Sequence, residues 1–335
     1  MPRRECKGDH AAARFHCDCR GWNCNPANPF ACPARPQTSG RANQQHFAAS
    51  LCFAYCRLQP RLDGSRLYGR QERHDQISRW AEGHYDRLPA LADELVRQQV
   101  NVIAAITTPV ALAVKGTTTI IPTVFEVGGD PVALGLVASL SRPGGNFTGV
   151  ALQNAELGPK RLELLHQLVP TTSVAALVNP TNPNTVSLSK ELEVAAGSMG
   201  LQLRLLHAAS DSDLDAAFQT IGDLHIRALF IGTDPFFNTR STQLAAMAMH
   251  QGIPAIYQYR DFAAAGGLLS YGASYTEPMR LVGAYTGRVL KGEKPSDLPV
   301  QESSKVELFI NLRTAKTLGL TIPQTFLVQA DEVIE

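Results

Sequence analysis

Residues 124–135, VFEVGGDPVALG, place a buried apolar run directly before two glycines, an aspartate and a proline. Three other stretches share this order of strand-like run, short polar residue and proline: AAITTPVAL (104–112), ALVNPTNPN (176–184) and LFIGTDPFFN (229–238). A short polar residue followed by proline is typical of a helix start. The predicted N-caps are Thr108, Asp130, Asn182 and Asp234. Four helices that begin at strand ends predict parallel strands whose carboxyl ends gather helix N-termini, where a small ligand can bind.

Strand and helix signals alternate from about residue 84 to the end of the 335-residue chain. Continuous apolar strands separated by helices predict parallel sheets that are covered on both faces. One series runs from NVIAAIT to FTGVAL and a second from SVAALV to GLLSYG, so we predict an α/β protein with two Rossmann-like, doubly wound lobes. The first lobe is assigned to residues 79–150 plus about 275–335, and the second to residues 151–274.

The first 78 residues differ in composition from the rest. All seven cysteines lie in the first 56 residues, and residues 1–78 hold 12 basic and 6 acidic residues against 19 and 24 in the remainder. Cysteines 17, 19, 24 and 32 are of a ligand type that zinc takes, but they lack the paired C-x2-C spacing of strong zinc motifs. Scattered arginines without aromatic partners argue against nucleic-acid binding. We expect an irregular or disordered segment that holds no metal.

The long block from 125 to 170, FEVGGDPVALGLVASLSRPGGNFTGVALQNAELGPKRLELLHQLVP, carries a family resemblance, together with FIGTDPFFNTR, IPAIYQYRDFAAAGGLLSYG and the C-terminal FINLRTAKTLGLTIPQTFLVQADEVIE. Over residues 79–335 the chain resembles ABC-transporter substrate-binding proteins of the tryptophan/tyrosine type. The resemblance implies a type I periplasmic-binding-protein fold, with two lobes, hinge crossings and a ligand held between them. It also implies a periplasmic location, permease and ATPase subunits as partners, and neither a cofactor nor catalysis.

Residues 1–78 do not match that family. Back-translated and read from the second base, residues 51–78 can encode ALPIVAFNRGLTEAGYTEGKNVTIKY, and residues 6–22 can encode an apolar signal-peptide core. We therefore interpret 1–78 as an out-of-frame or disordered segment and expect the first lobe to be incomplete. Because the segment as written has no recognisable signal peptide, retention in the cytoplasm is the alternative to export.

The predicted ligand-binding residues follow the strand ends of both lobes. They are Thr107, Thr108, Gly128, Gly129 and Asp130 in the first lobe, and Asn182, Asn184, Asp234, Phe236 and Tyr257 in the second. Asp234 is expected to balance a ligand ammonium group, while Thr107, Thr108 and backbone amides take a carboxylate. The glycines allow close backbone approach to a ligand. An amino acid or related small carboxylate is the expected ligand, and a sugar is less favoured because Trp22 and Trp80 lie at or before the start of the family-like region.

Two other classes of function stay open as alternatives. An α/β enzyme is disfavoured because residues 79–335 contain none of the nucleophile, phosphate-loop, zinc-protease or dinucleotide motifs and no cysteine. A ligand-sensing regulator of the same fold would need a DNA-binding helix pair, which residues 1–78 do not offer. The sequence also has no run of 18 apolar residues that predicts a membrane span.

Overall fold

The first lobe begins with a helix and three parallel strands. The computed structural model describes residues 84–152, 154 and 156–335, so the predictions for segment 1–78 lie outside the described residues. The first elements are α1 (Leu88–Arg97), β1 (Ile103–Ile106), α2 (Thr108–Thr117), β2 (Thr123–Val127) and β3 (Phe147–Ala151). β1 pairs in parallel with β2, and β2 with β3, so the carboxyl ends of these strands lie along one edge of the sheet.

The second lobe follows as a longer alternation of helices and strands. Its elements are α3 (Gly158–Leu168), β4 (Ser173–Val178), α4 (Thr185–Ser198), β5 (Gln202–His207), α5 (Asp211–Asp223), β6 (Ala228–Ile231), α6 (Pro235–Thr239), α7 (Ser241–His250), β7 (Ala255–Tyr257), α8 (Arg260–Ala264) and β8 (Leu269–Ala273). Strands β4 to β8 pair in parallel wherever they are neighbours. The predicted α/β class with doubly wound lobes is confirmed.

The C-terminal segment is divided between the two sheets. It contains α9 (Thr276–Leu290), β9 (Gln301–Glu302), β10 (Val306–Asn311), α10 (Leu312–Thr317), α11 (Gln324–Gln329) and β11 (Glu332–Ile334). β9 extends the first sheet, in the order β1-β2-β3-β9, while β10 and β11 extend the second, in the order β11-β10-β8-β7-β6-β4-β5. This differs from the prediction that the whole of 275–335 completes the first lobe. β10 instead pairs antiparallel with β8, where Leu308 and Ile310 join the second lobe's core.

Alternating side chains on the strands bury both faces of each sheet. On β4, Val174 and Ala176 pack into one core cluster, whereas Ala175 and Leu177 pack into the cluster on the opposite face. The strands of the first sheet divide in the same way between two clusters. Apolar runs without polar alternation are therefore explained by helices on both sides of each sheet.

Three short segments cross between the lobes and are hydrogen-bonded to one another. They follow β3, β8 and β9. The Ala273 amide donates to Asn154 Oδ1 at 2.8 Å, the Ser274 amide to the Lys305 oxygen at 2.8 Å, and the Ser303 amide to the Ala151 oxygen at 2.9 Å. These crossings form the connection about which two lobes of this kind can hinge.

The helix starts predicted from proline differ in how they form. Asp234 caps α6 as predicted, with Oδ1 accepting from the Phe236 amide at 2.8 Å. Thr108 lies inside α2, one residue after the cap position, and α4 begins at Thr185 instead of Pro183. No helix follows Asp130, because residues 131–135 form turns. Gly135 has a φ of +69°, and a right-handed helix cannot continue through a residue in this conformation.

Candidate functional site

The loops after β1 and β2 meet the second lobe directly. Asn184 Nδ2 donates to Thr108 Oγ1 at 3.0 Å, and the Gly128 amide donates to the same oxygen at 3.3 Å. A Cβ added to Gly129 would lie 2.8 Å from Asn184 Oδ1, so this position requires glycine for the approach of the second lobe. The structure thus brings Thr108, Gly128, Gly129 and Asn184 together at the lobe contact, a region that we call the cleft.

Thr107 and Asp130 flank this contact in different ways. Thr107 has a φ of +89°, in a region that β-branched residues rarely adopt, and its amide donates to the main-chain oxygen of Glu126 at 2.9 Å. Such backbone outliers are concentrated at functional sites. Asp130 is exposed, and its carboxylate accepts from the Val132 amide at 2.8 Å, which stabilises the turn after β2.

Asp234 is buried and already saturated with protein donors. Its carboxylate accepts from Asn179 Nδ2 at 3.1 Å, from Asn182 Nδ2 at 2.7 Å and from the Phe236 amide at 2.8 Å. The Tyr85 hydroxyl, from the first lobe, donates to both carboxylate oxygens at 3.0 Å. Burial raises the pKa of Asp234, although the hydrogen bonds from its partners oppose that shift. The group therefore caps α6 and links the lobes.

Asn182 supports this arrangement from the loop after β4. Besides donating to Asp234, it accepts from the Asn184 amide through Oδ1 at 2.9 Å. This bond positions Asn184 for its contact with Thr108 across the cleft.

Phe236 and Tyr257 lie in the core of the second lobe. Phe236 packs against the Phe237 ring at 5.5 Å and lies under the Arg240 guanidinium at 3.9 Å. Tyr257 is fully buried and stacks on Phe262 at 4.7 Å. The structure does not bring these two rings to the lobe contact, and their role in binding stays a prediction.

A buried arginine that the sequence analysis did not select lies beneath the cleft. Arg161, on α3, is fully buried. Its Nη2 donates to Thr233 Oγ1 at 2.8 Å and to the Asn154 main-chain oxygen at 3.3 Å, while Nη1 lies 3.5 Å from Gln258 Oε1. Its Nε has no acceptor among the described residues. Burial lowers the pKa of Arg161 to about 10, which leaves the guanidinium charged at neutral pH.

A buried carboxyl group, also missed, lies on the first-lobe side. Glu126 is the fourth residue of β2 and is almost fully buried, and burial raises its pKa to about 7. Burial raises the pKa values of the Tyr259 and Tyr275 hydroxyls, and the charge of Glu126 raises them further. Tyr259 also accepts a hydrogen bond from Asn154 Nδ2 at 2.8 Å and packs edge-on against Tyr275.

Both missed residues carry a signal that is visible in the sequence. Arg161 lies three residues after Gly158 and four before Leu165, on the apolar stripe by which α3 contacts the core. Glu126 interrupts the otherwise apolar strand VFEV, both faces of which are buried. A charged residue at a position where the periodicity predicts an apolar one indicates a buried charge. Burying a charge without a partner costs desolvation free energy.

The described residues were also searched for groups of metal ligands and for helices that could span a membrane. Between residues 84 and 335, as far as they are described, no group of three or more His, Cys, Asp or Glu side chains could hold a metal ion. The described helices include none that is long and apolar enough to cross a membrane. The cysteines considered for zinc all lie outside these residues.

Comparisons with known proteins agree with this architecture. Residues 69–334 match the family described as ABC transporter substrate binding protein. The curated tyrosine-binding protein of Clostridioides difficile is 27% identical over 233 residues, which are 69% of this chain and 66% of that protein. The match therefore spans slightly less than two thirds of that relative's length.

Solved structures show the same fold. A conserved domain protein from Vibrio cholerae has a TM-score of 0.68 and 27% identity, over 74% of this chain and 83% of that one. An ABC domain from Streptococcus pneumoniae, solved with L-Trp, has a TM-score of 0.71 and 24% identity, over 85% and 95%. The resemblance and fold predicted from the sequence are confirmed, and the chain belongs to the ABC transporter substrate-binding protein family.

Proposed function

We propose that this chain is the substrate-binding component of an ABC importer. It captures an amino acid or a related small carboxylate between its lobes and delivers it to a membrane permease that works with an ATPase subunit. Capture takes place in the periplasm, and the chain performs binding without chemistry. Family membership supports this role, as do one relative that is called a tyrosine-binding protein and another whose ABC domain was solved in complex with L-Trp.

The observation that carries the proposal is a set of buried polar and charged groups that lie in both lobes at or beneath their contact. Glu126 and Thr108 come from the first lobe, and Asn184, Asp234 and Arg161 from the second. Pure structural packing of two lobes does not need buried charges of both signs, which cost desolvation free energy. A polar ligand that enters between the lobes offsets that cost.

Closure of the lobes is the proposed mechanism of capture. Two hydrogen bonds between the lobes, Asn184 to Thr108 and Tyr85 to Asp234, exist only when the lobes are together. A ligand shifts an equilibrium between open and closed states by its differential affinity for the closed one. The three crossing segments supply the hinge.

A thermal-shift screen of the full chain against the twenty common L-amino acids and small carboxylates tests the proposal. Binding stabilises the protein by RT ln(1 + [L]/Kd), about 2.7 kcal/mol at a hundredfold excess over Kd. A selective rise in melting temperature, with compaction in small-angle scattering for the same compound, is expected. If no amino acid or carboxylate stabilises the chain, while sugars or nucleosides do, the proposed ligand class is wrong. Cell fractionation separately tests the periplasmic location.

A further inference from the structure

Tyr85 of the first lobe reaches a carboxylate of the second lobe. Its hydroxyl lies 3.0 Å from each carboxylate oxygen of Asp234, a side chain that is buried in the second lobe. Burial raises the pKa of this hydroxyl, and the charge of Asp234 raises it further, so the phenol stays protonated at neutral pH and donates. The Tyr85 ring packs against the core cluster of the first lobe, three residues before α1, and therefore moves with that lobe.

The other partners of Asp234 are donors whose orientation the network fixes. Asn179 Oδ1 accepts from the Thr181 amide at 3.0 Å, so the Asn179 amide nitrogen is the atom that faces the carboxylate. Asn182 Oδ1 accepts from the Asn184 amide at 2.9 Å, which turns the Asn182 nitrogen toward the carboxylate in the same way. The remaining partner is a main-chain amide. A group that only accepts matches an ionised carboxylate, and hydrogen bonds to an ionised acceptor are stronger than those between neutral groups.

Opening of the lobes changes only one of these bonds. Three donors to Asp234 belong to the second lobe and stay with it, whereas the Tyr85 hydroxyl leaves with the first lobe. The other hydrogen bond across the contact, from Asn184 Nδ2 to Thr108 Oγ1 at 3.0 Å, joins two uncharged groups. The bond from Tyr85 is therefore expected to stabilise the closed arrangement more than the bond to Thr108 does.

Asn182 connects the two contacts within the second lobe. Its Nδ2 donates to Asp234 at 2.7 Å, and its Oδ1 accepts from the amide of Asn184, whose side chain bonds Thr108. A continuous hydrogen-bonded path thus runs from Tyr85 to Thr108 through the loop after β4. Formation of one contact holds this loop in the geometry that the other contact needs.

We infer that Tyr85 is a positioning residue that holds the two lobes together through Asp234, so that the chain is partly closed before a ligand binds. A closed arrangement that is stabilised by the protein itself slows release of whatever is held between the lobes. Tyr85 thus sets the residence time of a ligand without touching it. The inference goes beyond the proposed function, because it holds for any ligand captured between the lobes.

Small-angle scattering of the ligand-free full chain tests the inference first. Tyr85→Phe removes the hydroxyl and keeps the ring that packs on the first-lobe core. Tyr285→Phe is the matched control, because the Tyr285 hydroxyl donates to the Pro299 oxygen at 2.7 Å inside the first lobe. We expect a larger radius of gyration for Tyr85→Phe than for the wild type, and no difference between Tyr285→Phe and the wild type. Equal radii for Tyr85→Phe and the wild type would overturn the inference.

Binding kinetics with L-tyrosine as the probe supply the second test. In Tyr85→Phe the dissociation rate should rise about tenfold while the association rate changes by less than about twofold, and Tyr285→Phe should leave both rates unchanged. Weaker binding by Tyr85→Phe with unchanged scattering of the ligand-free chain would make Tyr85 a ligand contact and overturn the inference. If L-tyrosine does not bind the wild type, that result counts against the proposed ligand class, and the scattering comparison still decides the role of Tyr85.

Discussion

Asp234 and Arg161 are buried charged residues of the same lobe, but they differ in how fully the protein satisfies their hydrogen-bonding groups. Four donor groups surround the Asp234 carboxylate, one of them from the other lobe. The Arg161 guanidinium has three neutral acceptors and an unpaired Nε. A buried charge at the lobe contact is therefore not by itself a binding group. What distinguishes the two is how much hydrogen-bonding capacity the protein leaves unused.

The largest effect is expected from removing the saturated charge. Asp234→Ala leaves two asparagine amides, a tyrosine hydroxyl and the Phe236 amide without their acceptor, and buried donors without partners are costly. We expect the free energy of unfolding to fall by about 3 to 5 kcal/mol, measured by urea denaturation. Asp130→Ala, which removes an exposed carboxylate bonded to one amide, is the control and should cost less than about 1 kcal/mol. Unchanged stability with a loss of ligand affinity would return Asp234 to the role of ammonium partner.

A somewhat smaller effect is expected from the titration of Glu126. Its pKa is raised from 4.5 to about 7 by burial, so the folded state holds a proton that the unfolded state has lost. The stabilisation is full below about pH 4.5 and is lost as the pH rises through about 7, a change of about 3 kcal/mol. The neighbouring Tyr259 and Tyr275 hydroxyls have raised pKa values and stay neutral over this range.

The difference between the wild type and Glu126→Gln, followed by urea denaturation from pH 4.5 to 8.5, isolates this effect from other groups. The variant should lose this part of the pH dependence. Parallel curves for the two proteins would show that Glu126 is not a buried carboxyl group.

An intermediate effect is expected at the lobe contact. Gly129→Ala brings a Cβ to 2.8 Å from Asn184 Oδ1 and must displace the amide that bonds Thr108. We expect closure to become less favourable by about 1 to 2 kcal/mol, seen as roughly tenfold weaker ligand binding with less compaction in scattering. Gly128→Ala is the matched control, because its Cβ meets nothing closer than 3.8 Å. Equal behaviour of the two variants would contradict the described contact.

The smallest effect is expected from breaking an ion pair between an exposed arginine and an exposed carboxylate. Arg260 forms two hydrogen bonds with Glu332, at 2.7 and 2.6 Å, and both side chains are substantially exposed. Solvent screening limits such pairs, so Glu332→Gln should change the free energy of unfolding by less than about 1 kcal/mol. A loss comparable with that of Asp234→Ala would remove the contrast between buried and exposed charges.

Sequence reasoning was strongest where a pattern is repeated. Apolar strands between helices predicted two doubly wound lobes, and Asp234 before Pro235 predicted the cap of α6. The prediction was wrong for β10, whose sheet depends on tertiary pairing. The sequence of β10 is compatible with a strand of either sheet. In the structure it pairs with the edge of β8, and its apolar side chains pack into the core of the second lobe. The turn after Asp130 was predicted as a helix because its proline signal is real, but Gly135 adopts a left-handed conformation that ends it.

The candidate site also has features that the sequence predicts and features that depend on tertiary contacts. Thr108, Gly128, Gly129 and Asn184 do meet at the cleft, since strand ends are brought together by the parallel sheets themselves. Whether a side chain is already satisfied depends on partners far away in the sequence, such as Tyr85 for Asp234. Local patterns cannot supply that information. A search for charges on apolar stripes would have found Arg161 and Glu126.

The most direct test of the account is a crystal structure of the full chain with its tightest-binding amino acid. We expect the ligand to lie between the lobes, with hydrogen bonds of about 3.2 Å or less to side chains of both lobes. A ligand that binds away from the lobe contact, or that contacts one lobe alone, would contradict capture between the lobes.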